Sequence, residues 1–211
     1  MIELATKTIH DTLDHACLKQ TADGCKNCDL HQTRHRVVFN SGPDNAHLMI
    51  IGEGPGQQED ETGQPFVGKA GQLLTKILES VQINRDEIYI TNTVKCRPPE
   101  NRTPTPQEMT ACQDFLIRQI QLVQPKIMVL LGSAAVKSVL KDPTPISKLR
   151  GTWITQSVDY MTDDLYIMPM FHPSYLLRYA SKEKGSPKWL TWQDMKEVKT
   201  ALTFYATMSK L

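Results

Sequence analysis

Four of the five cysteines in this sequence stand where thiolates could share a metal centre. Cys25 and Cys28 form a C-x2-C pair in a polar, glycine-containing loop, and Cys96 and Cys112 are separated by fifteen residues. The x2 spacing lets two thiolates reach one centre from a single turn. Cys96 follows a strand-like run and Cys112 lies near the start of a helix-like one, so the second pair can meet the first in space. A structural zinc ion and a four-iron, four-sulfur cluster both accept such ligands, and unrelated buried thiols are the plain alternative. Disulfides fit poorly, because the count is odd and the chain shows no export signal.

Three further motifs carry groups suited to a flat polar ligand. Gly52-Glu53-Gly54-Pro55-Gly56 makes a tight turn in which the backbone can approach a ligand closely. Glu59, Asp60 and the run Gly63-Gln64-Pro65-Phe66-Val67-Gly68-Lys69 follow it. Neither the Walker spacing nor GxGxxG is present, so a phosphate-binding loop is excluded. In Thr91-Asn92-Thr93-Val94-Lys95-Cys96-Arg97-Pro98-Pro99, the Asn92 amide offers both a donor and an acceptor to a heterocycle edge. An asparagine that fixes its own loop is the bland reading of the same residue. In His172-Pro173-Ser174-Tyr175-Leu176-Leu177-Arg178, His172 could donate to an oxygen that gains charge in a transition state. Leu176 and Leu177 could wedge into a base stack. A structural histidine and two core leucines are the alternatives.

The elements that must position these motifs alternate along the chain. Residues 47–53, 88–92, 126–132 and 165–171 are short apolar runs that read as buried strands. Pro169 suggests that the last is an edge strand or has a distorted end. Residues 70–80, 106–124, 133–140 and 189–208 have apolar positions at helical spacing, and Pro125 closes the second of them. This order predicts a three-layer α/β/α fold with a central four-stranded parallel sheet. Each motif falls at the carboxyl end of a strand or just beyond it, where such sheets bind ligands.

At 211 residues a single domain is expected across the whole chain, with residues 1–22 as a helical or irregular lead-in. Glu3, Lys7 and Asp11 deny the N-terminus the apolar core of a signal peptide. No apolar run approaches a membrane span, so a cytoplasmic protein without membrane contact is expected. The formal net charge of +1 gives composition no vote for nucleic acid, although a local basic face remains compatible with it.

Taken in order, the four motifs resemble those of the family 4, or iron–sulfur, uracil-DNA glycosylases, over residues 25 to 205. The resemblance implies that Cys25, Cys28, Cys96 and Cys112 hold a four-iron, four-sulfur cluster, with Cys17 as the spare. It implies a monomeric, monofunctional enzyme that flips uracil from single- or double-stranded DNA and hydrolyses its bond to the sugar. Phe66 would stack on the base, Asn92 would read its pairing edge and His172 would face its O2. The turn around Gly54 would line the sugar side, and Ser174, Leu176, Leu177 and Arg178 would enter the DNA. Glu53, and after it Glu59, would hold the attacking water. Family members usually carry Ala at the Gly54 position, so Gly54 would widen the pocket. A relative that traps uracil covalently carries Gln at that position and a basic, histidine-containing insertion between the third and fourth strands; the comparable residues 142–153 here contain no histidine, which disfavours the covalent reading. Gly56 stands where family 1 has a Tyr against thymine's methyl group, which leaves that discrimination to Phe66. Lys69, Arg97, Arg178, Lys182, Lys184 and Lys188 are candidates for gripping phosphates. Two rivals are a DNA-binding module that does not excise and an accessory domain that guides a polymerase.

Overall fold

The four apolar runs are strands because nothing polar interrupts them, and a strand with two apolar faces must be covered on both. In the computed structural model, which describes residues 14–157 and 161–208, they are β1 (Leu48–Gly52), β2 (Tyr89–Asn92), β3 (Ile127–Leu131) and, after one more strand, β5 (Leu165–Met170). That additional strand, β4 (Ile154–Gln156), makes the sheet five-stranded, in the order β2-β1-β3-β5-β4. The first four are parallel, and β4 runs antiparallel to β5. The expectation of four strands therefore missed an edge strand of three residues. Its side chains are only partly buried, so it carries no apolar run to betray it.

β5 is not an edge strand, contrary to the hint from Pro169. The Pro169 carbonyl accepts from Gly151 N at 3.0 Å on the β4 side, beyond the last β4 pair, Ile154 with Ile167. The N–H that proline lacks would point to that same side, so the ladder to β3 loses nothing. The β2 edge is capped by a bridge between Ser41 and Ile90.

Alternate strand residues feed the two faces. Ile50, Ile90, Val129 and Met168 pack under Leu74 and Leu78 of α3 (Lys69–Ser80) and Met195 and Val198 of α8 (Pro187–Met208). Met49, Tyr89, Met128 and Ile167 face Leu116, Ile120 and Val123 of α4 (Pro106–Val123) and Val136 and Val139 of α5 (Ser133–Leu140). Each such side chain contributes about 1.5–3 kcal/mol by leaving water. Pro106 opens α4 inside a reciprocal Thr105–Glu108 capping box, which is why this helix starts where it does.

The described residues also form four shorter α-helices: α1 (His15–Asp23), α2 (Gln57–Thr62), α6 (Ile146–Leu149) and α7 (Pro173–Leu176). α1 buries Leu18 and Ala22 against Phe115 of α4 and the cysteine loops, forming a third small core. The expectations about the first twelve residues lie outside the described residues.

Candidate active site

The carboxyl ends of the parallel strands open into a cavity of about 870 Å³, which the three non-cysteine motifs line together. Its floor depends on Gly52, the last residue of β1, which lies in register with Asn92 of β2. A Cβ at Gly52 would stand 2.4 Å from Asn92 Oδ1 and 2.4 Å from Phe66 Cζ, so only glycine lets both side chains meet there.

Asn92 is almost fully buried, and its Oδ1 has no hydrogen-bond partner among the described residues. An orphaned buried acceptor costs about 1–3 kcal/mol, so it marks a place where a ligand donor completes the structure. The backbone beneath it is held from behind. Lys95 Nζ donates to the Asn92 carbonyl at 2.6 Å and to Thr91 Oγ1 at 2.8 Å. Thr91 Oγ1 passes its own proton to the Phe39 carbonyl at 2.7 Å. Lys95 is buried, and burial pushes its ammonium down to about 8.

Phe66 holds a left-handed backbone, φ 54°, which is strained for a residue with a side chain. Arg85 fastens it, with Nη2 donating to the carbonyls of Pro65 and Phe66, both at 2.9 Å, while Nη1 donates to Thr75 Oγ1 at 2.8 Å. Gly71 lets α3 press onto the same carbonyl, 1.9 Å from where a Cβ would sit. The Phe66 ring then lies 5.8 Å from the His172 ring, tilted by 34°.

His172 caps the N-terminus of α7. Its Nδ1 accepts from Ser174 N at 3.1 Å and lies 2.8 Å from Ser174 Oγ. With Nδ1 occupied as an acceptor, the neutral ring carries its proton on Nε2. Burial pushes the imidazole down to about 4, so it is neutral at pH 7.

The two carboxylates prove unlike. Glu59 is buried, and its Oε1 accepts from Val67 N at 2.9 Å and Gly68 N at 2.7 Å, directly after Phe66. It is a strut for the Phe66 loop. Glu53 lines the cavity, where burial pushes its carboxyl up against the opposing effect of a Thr103 hydrogen bond. At Gly54 an added methyl would press on Val94 Cγ2 at 2.9 Å. The glycine thus relieves a contact at the wall of the cavity it lines.

The last motif divides along one helical turn. Pro173 and Leu176 point inward and Ser174 and Leu177 outward. Leu176 is wholly buried in the core, which corrects its expected entry into DNA; Leu177 is 48% exposed at the cavity rim. Arg178, Lys182 and Lys184 are exposed beyond it, Lys188 is half-buried, and Lys69 lines the cavity mouth. Arg97 is held by Asn101 Oδ1 at 2.7 Å.

Cys25, Cys28, Cys96 and Cys112 line a second, small cavity with Arg34, Lys95 and Phe115. Cys17 is exposed. Donors already point at three of the sulfurs: Asn27 N at 3.5 Å from Cys25, Arg34 Nη1 at 3.3 Å from Cys96 and Lys95 N at 3.3 Å from Cys112. Burial raises the thiols of Cys28 and Cys96 and pushes that of Cys112 up to about 12. Among the described residues, no three Cys, His, Asp or Glu side chains converge on a single ion. Sequence reasoning missed Gly71, Arg34 and Arg85 and gave Lys95 no role. Only Lys95 left a trace, as a cation between Val94 and Cys96 next to an apolar strand.

The family model that matches the chain, over residues 39–196, is that of the uracil DNA glycosylase superfamily. A Type-4 uracil-DNA glycosylase of Thermotoga maritima is 45% identical over 160 residues, 75% of this chain and 81% of that protein. A Type-4 uracil-DNA glycosylase of Archaeoglobus fulgidus is 39% identical over 157 residues, 72% of this chain and 78% of its own length. A third, from Sulfurisphaera tokodaii, is 39% identical over 165 residues, 76% and 74% of the two chains.

Proposed function

The chain belongs to the uracil DNA glycosylase superfamily, and from that premise we propose that it removes uracil from DNA by hydrolysing the N-glycosidic bond, leaving an abasic site. The observation that carries the reading is the buried, unpartnered Oδ1 of Asn92, set in a pocket walled by Phe66 and His172. A base inside a duplex is out of reach, so the uracil nucleotide must turn out into the pocket. Phe66 then stacks on its face. Asn92 Oδ1 accepts from uracil N3–H, and its amide donates to O4, a pairing that cytosine cannot make at those two atoms.

As the bond from C1′ to N1 breaks, its electron pair stays with uracil and charge gathers on O2. The neutral His172 donates from Nε2 to that oxygen, a fixed dipole aimed where charge develops. Water attacks the oxocarbenium-like C1′ and gives up a proton, and Glu53 is placed to orient it, its raised carboxyl suiting a group that receives protons. Glu59 acts one step back, by holding the loop that carries Phe66.

The four cysteines fit a four-iron, four-sulfur cluster. They ring one cavity without converging on a single ion, and N–H donors stand ready for the charge of bound sulfur. Held by these four cysteines, such a cluster would tie the loop of Cys25 and Cys28 and the loop of Cys96 to α4 through Cys112, a structural service. Among the described residues no helix is long and apolar enough to cross a membrane, and a DNA substrate places the enzyme in a compartment that holds DNA.

The test uses a labelled oligonucleotide with one uracil, resolved on a denaturing gel with and without alkali. Strand cleavage only after alkali is expected. Unchanged DNA in both lanes, with iron bound, would leave a module that binds without excising, and a slow protein-sized band would mean covalent capture.

A further inference from the structure

Beside the pocket, the chain leaves a row of aromatic rings that the excision chemistry does not use. Phe171 lies 5.0 Å from Tyr175, centroid to centroid, and Tyr175 lies 4.9 Å from Tyr179. Tyr179 donates its hydroxyl proton to the Tyr175 hydroxyl at 2.8 Å, which fixes the two outer rings relative to each other. The row starts at the cavity wall, where Phe171 and Tyr175 both stand, and ends in solvent, where Tyr179 is 38% exposed. Leu177, 48% exposed, adds an apolar side chain at the cavity rim. Neighbouring exposed apolar side chains that a monomer does not bury mark a contact surface.

We propose that this ladder is a stacking platform for the unpaired base next to the flipped uracil on the same strand; the proposal rests on the uracil-excision reading of the pocket. Three observations select that occupant. The ladder is continuous with the pocket wall, so whatever enters the pocket brings its nearest neighbour over Tyr175 and Tyr179. Arg178, Lys182 and Lys184 are exposed and follow Tyr175 within nine residues of chain, with Glu183 as the one acid between residues 173 and 188, a charge suited to phosphates. Tyrosine rings offer a face to any base, which suits an enzyme whose site must be found in any sequence. Turning uracil out removes a stacking partner from its neighbour, and the ladder replaces it. A single strand, whose bases are already free to stack, profits most.

The test compares wild type, Tyr179→Leu and Tyr179→Phe, all at an exposed position where folding is not at stake. Each is bound to uracil oligonucleotides carrying 2-aminopurine on either side of the uracil, and each is assayed on a long single strand and on the same strand with abasic sites flanking the uracil. Wild type and Tyr179→Phe should quench the fluorophore on one side, and Tyr179→Leu should not. Tyr179→Leu should also lose about tenfold in kcat/KM on the intact strand, with the strand that lacks the neighbouring bases unaffected. Equal quenching in all three proteins, or an equal loss on both substrates, overturns the proposal and assigns the surface to another partner, such as a protein. Quenching without any excision by wild type would instead defeat the reading of the pocket and leave the ladder standing.

Discussion

The base pocket and the cysteine cavity treat polar groups in opposite ways. In the cysteine cavity the sulfurs already receive donors from Asn27, Arg34 and Lys95. In the base pocket Asn92 Oδ1 is buried with none. A permanent ligand can be supported from every side, because it never leaves. A transient one must find bonding capacity open, and the fold carries the cost of that vacancy between turnovers. The same five-residue stretch serves both. Asn92 opens it, and Lys95 and Cys96 close it, with the Lys95 N–H on the Cys112 sulfur and its ammonium on the Asn92 carbonyl.

The strongest way to break the comparison is at the permanent site. Cys96→Ser should lose iron and any brown colour and lower the melting temperature by on the order of 10 °C, followed by metal analysis and thermal unfolding. A colourless wild type with full zinc occupancy would contradict the cluster. At the transient site, His172→Ala should lower kcat by about a hundred- to a thousandfold with little change in unfolding, as expected for a donor to developing charge. Unchanged turnover would remove His172 from the chemistry.

Asn92→Ala sharpens the contrast further. It should reduce kcat/KM by roughly tenfold or more, yet leave the protein as stable as before or slightly more so, because an unpaired buried oxygen is removed. A marked loss of stability would mean that Asn92 belongs to the fold. Lys95→Met tests the bridge between the cavities. If Lys95 acts through Asn92, the double variant with Asn92→Ala should be no slower than Asn92→Ala alone, by steady-state kinetics at constant iron content. Additive losses would separate the two residues.

The smallest effect concerns pH. Folding lowers the His172 imidazole from 6.5 to about 4, so the folded state resists its protonation. Its contribution to stability is full above 6.5 and disappears as pH falls from 6.5 through about 4. Stability in His172→Ala should therefore decline less steeply over that window, and wild-type excision should show no limb near 6.5. Denaturant melts at several pH values would check the first statement and a rate profile the second.

Much of this was legible beforehand. The apolar runs at 48–52, 127–131 and 165–170 left strands no alternative, and the helices at 133–140 and 106–123 followed from spacing and flanking prolines. β4 was hidden because a short edge strand needs no apolar pattern. Leu176 and Leu177 are chemically identical neighbours, so only the handedness of α7 could send one to the core and the other to the rim. Glu53 and Glu59 were likewise two carboxylates near one turn, until the fold wrapped the Val67 and Gly68 amides around Glu59.

By itself, then, the sequence determined the order of elements and the types of group that gather at the strand ends, because periodicity and motif chemistry are local properties of the chain. Which groups are struts and which are left open to a ligand was decided only in three dimensions. Arg85 reaches the carbonyl of Phe66 nineteen residues away, and Arg34 reaches the sulfur of Cys96 across sixty-two. A hydrogen bond depends on a few tenths of an ångström between atoms that sequence distance does not bring together, and that geometry exists only after the core has packed.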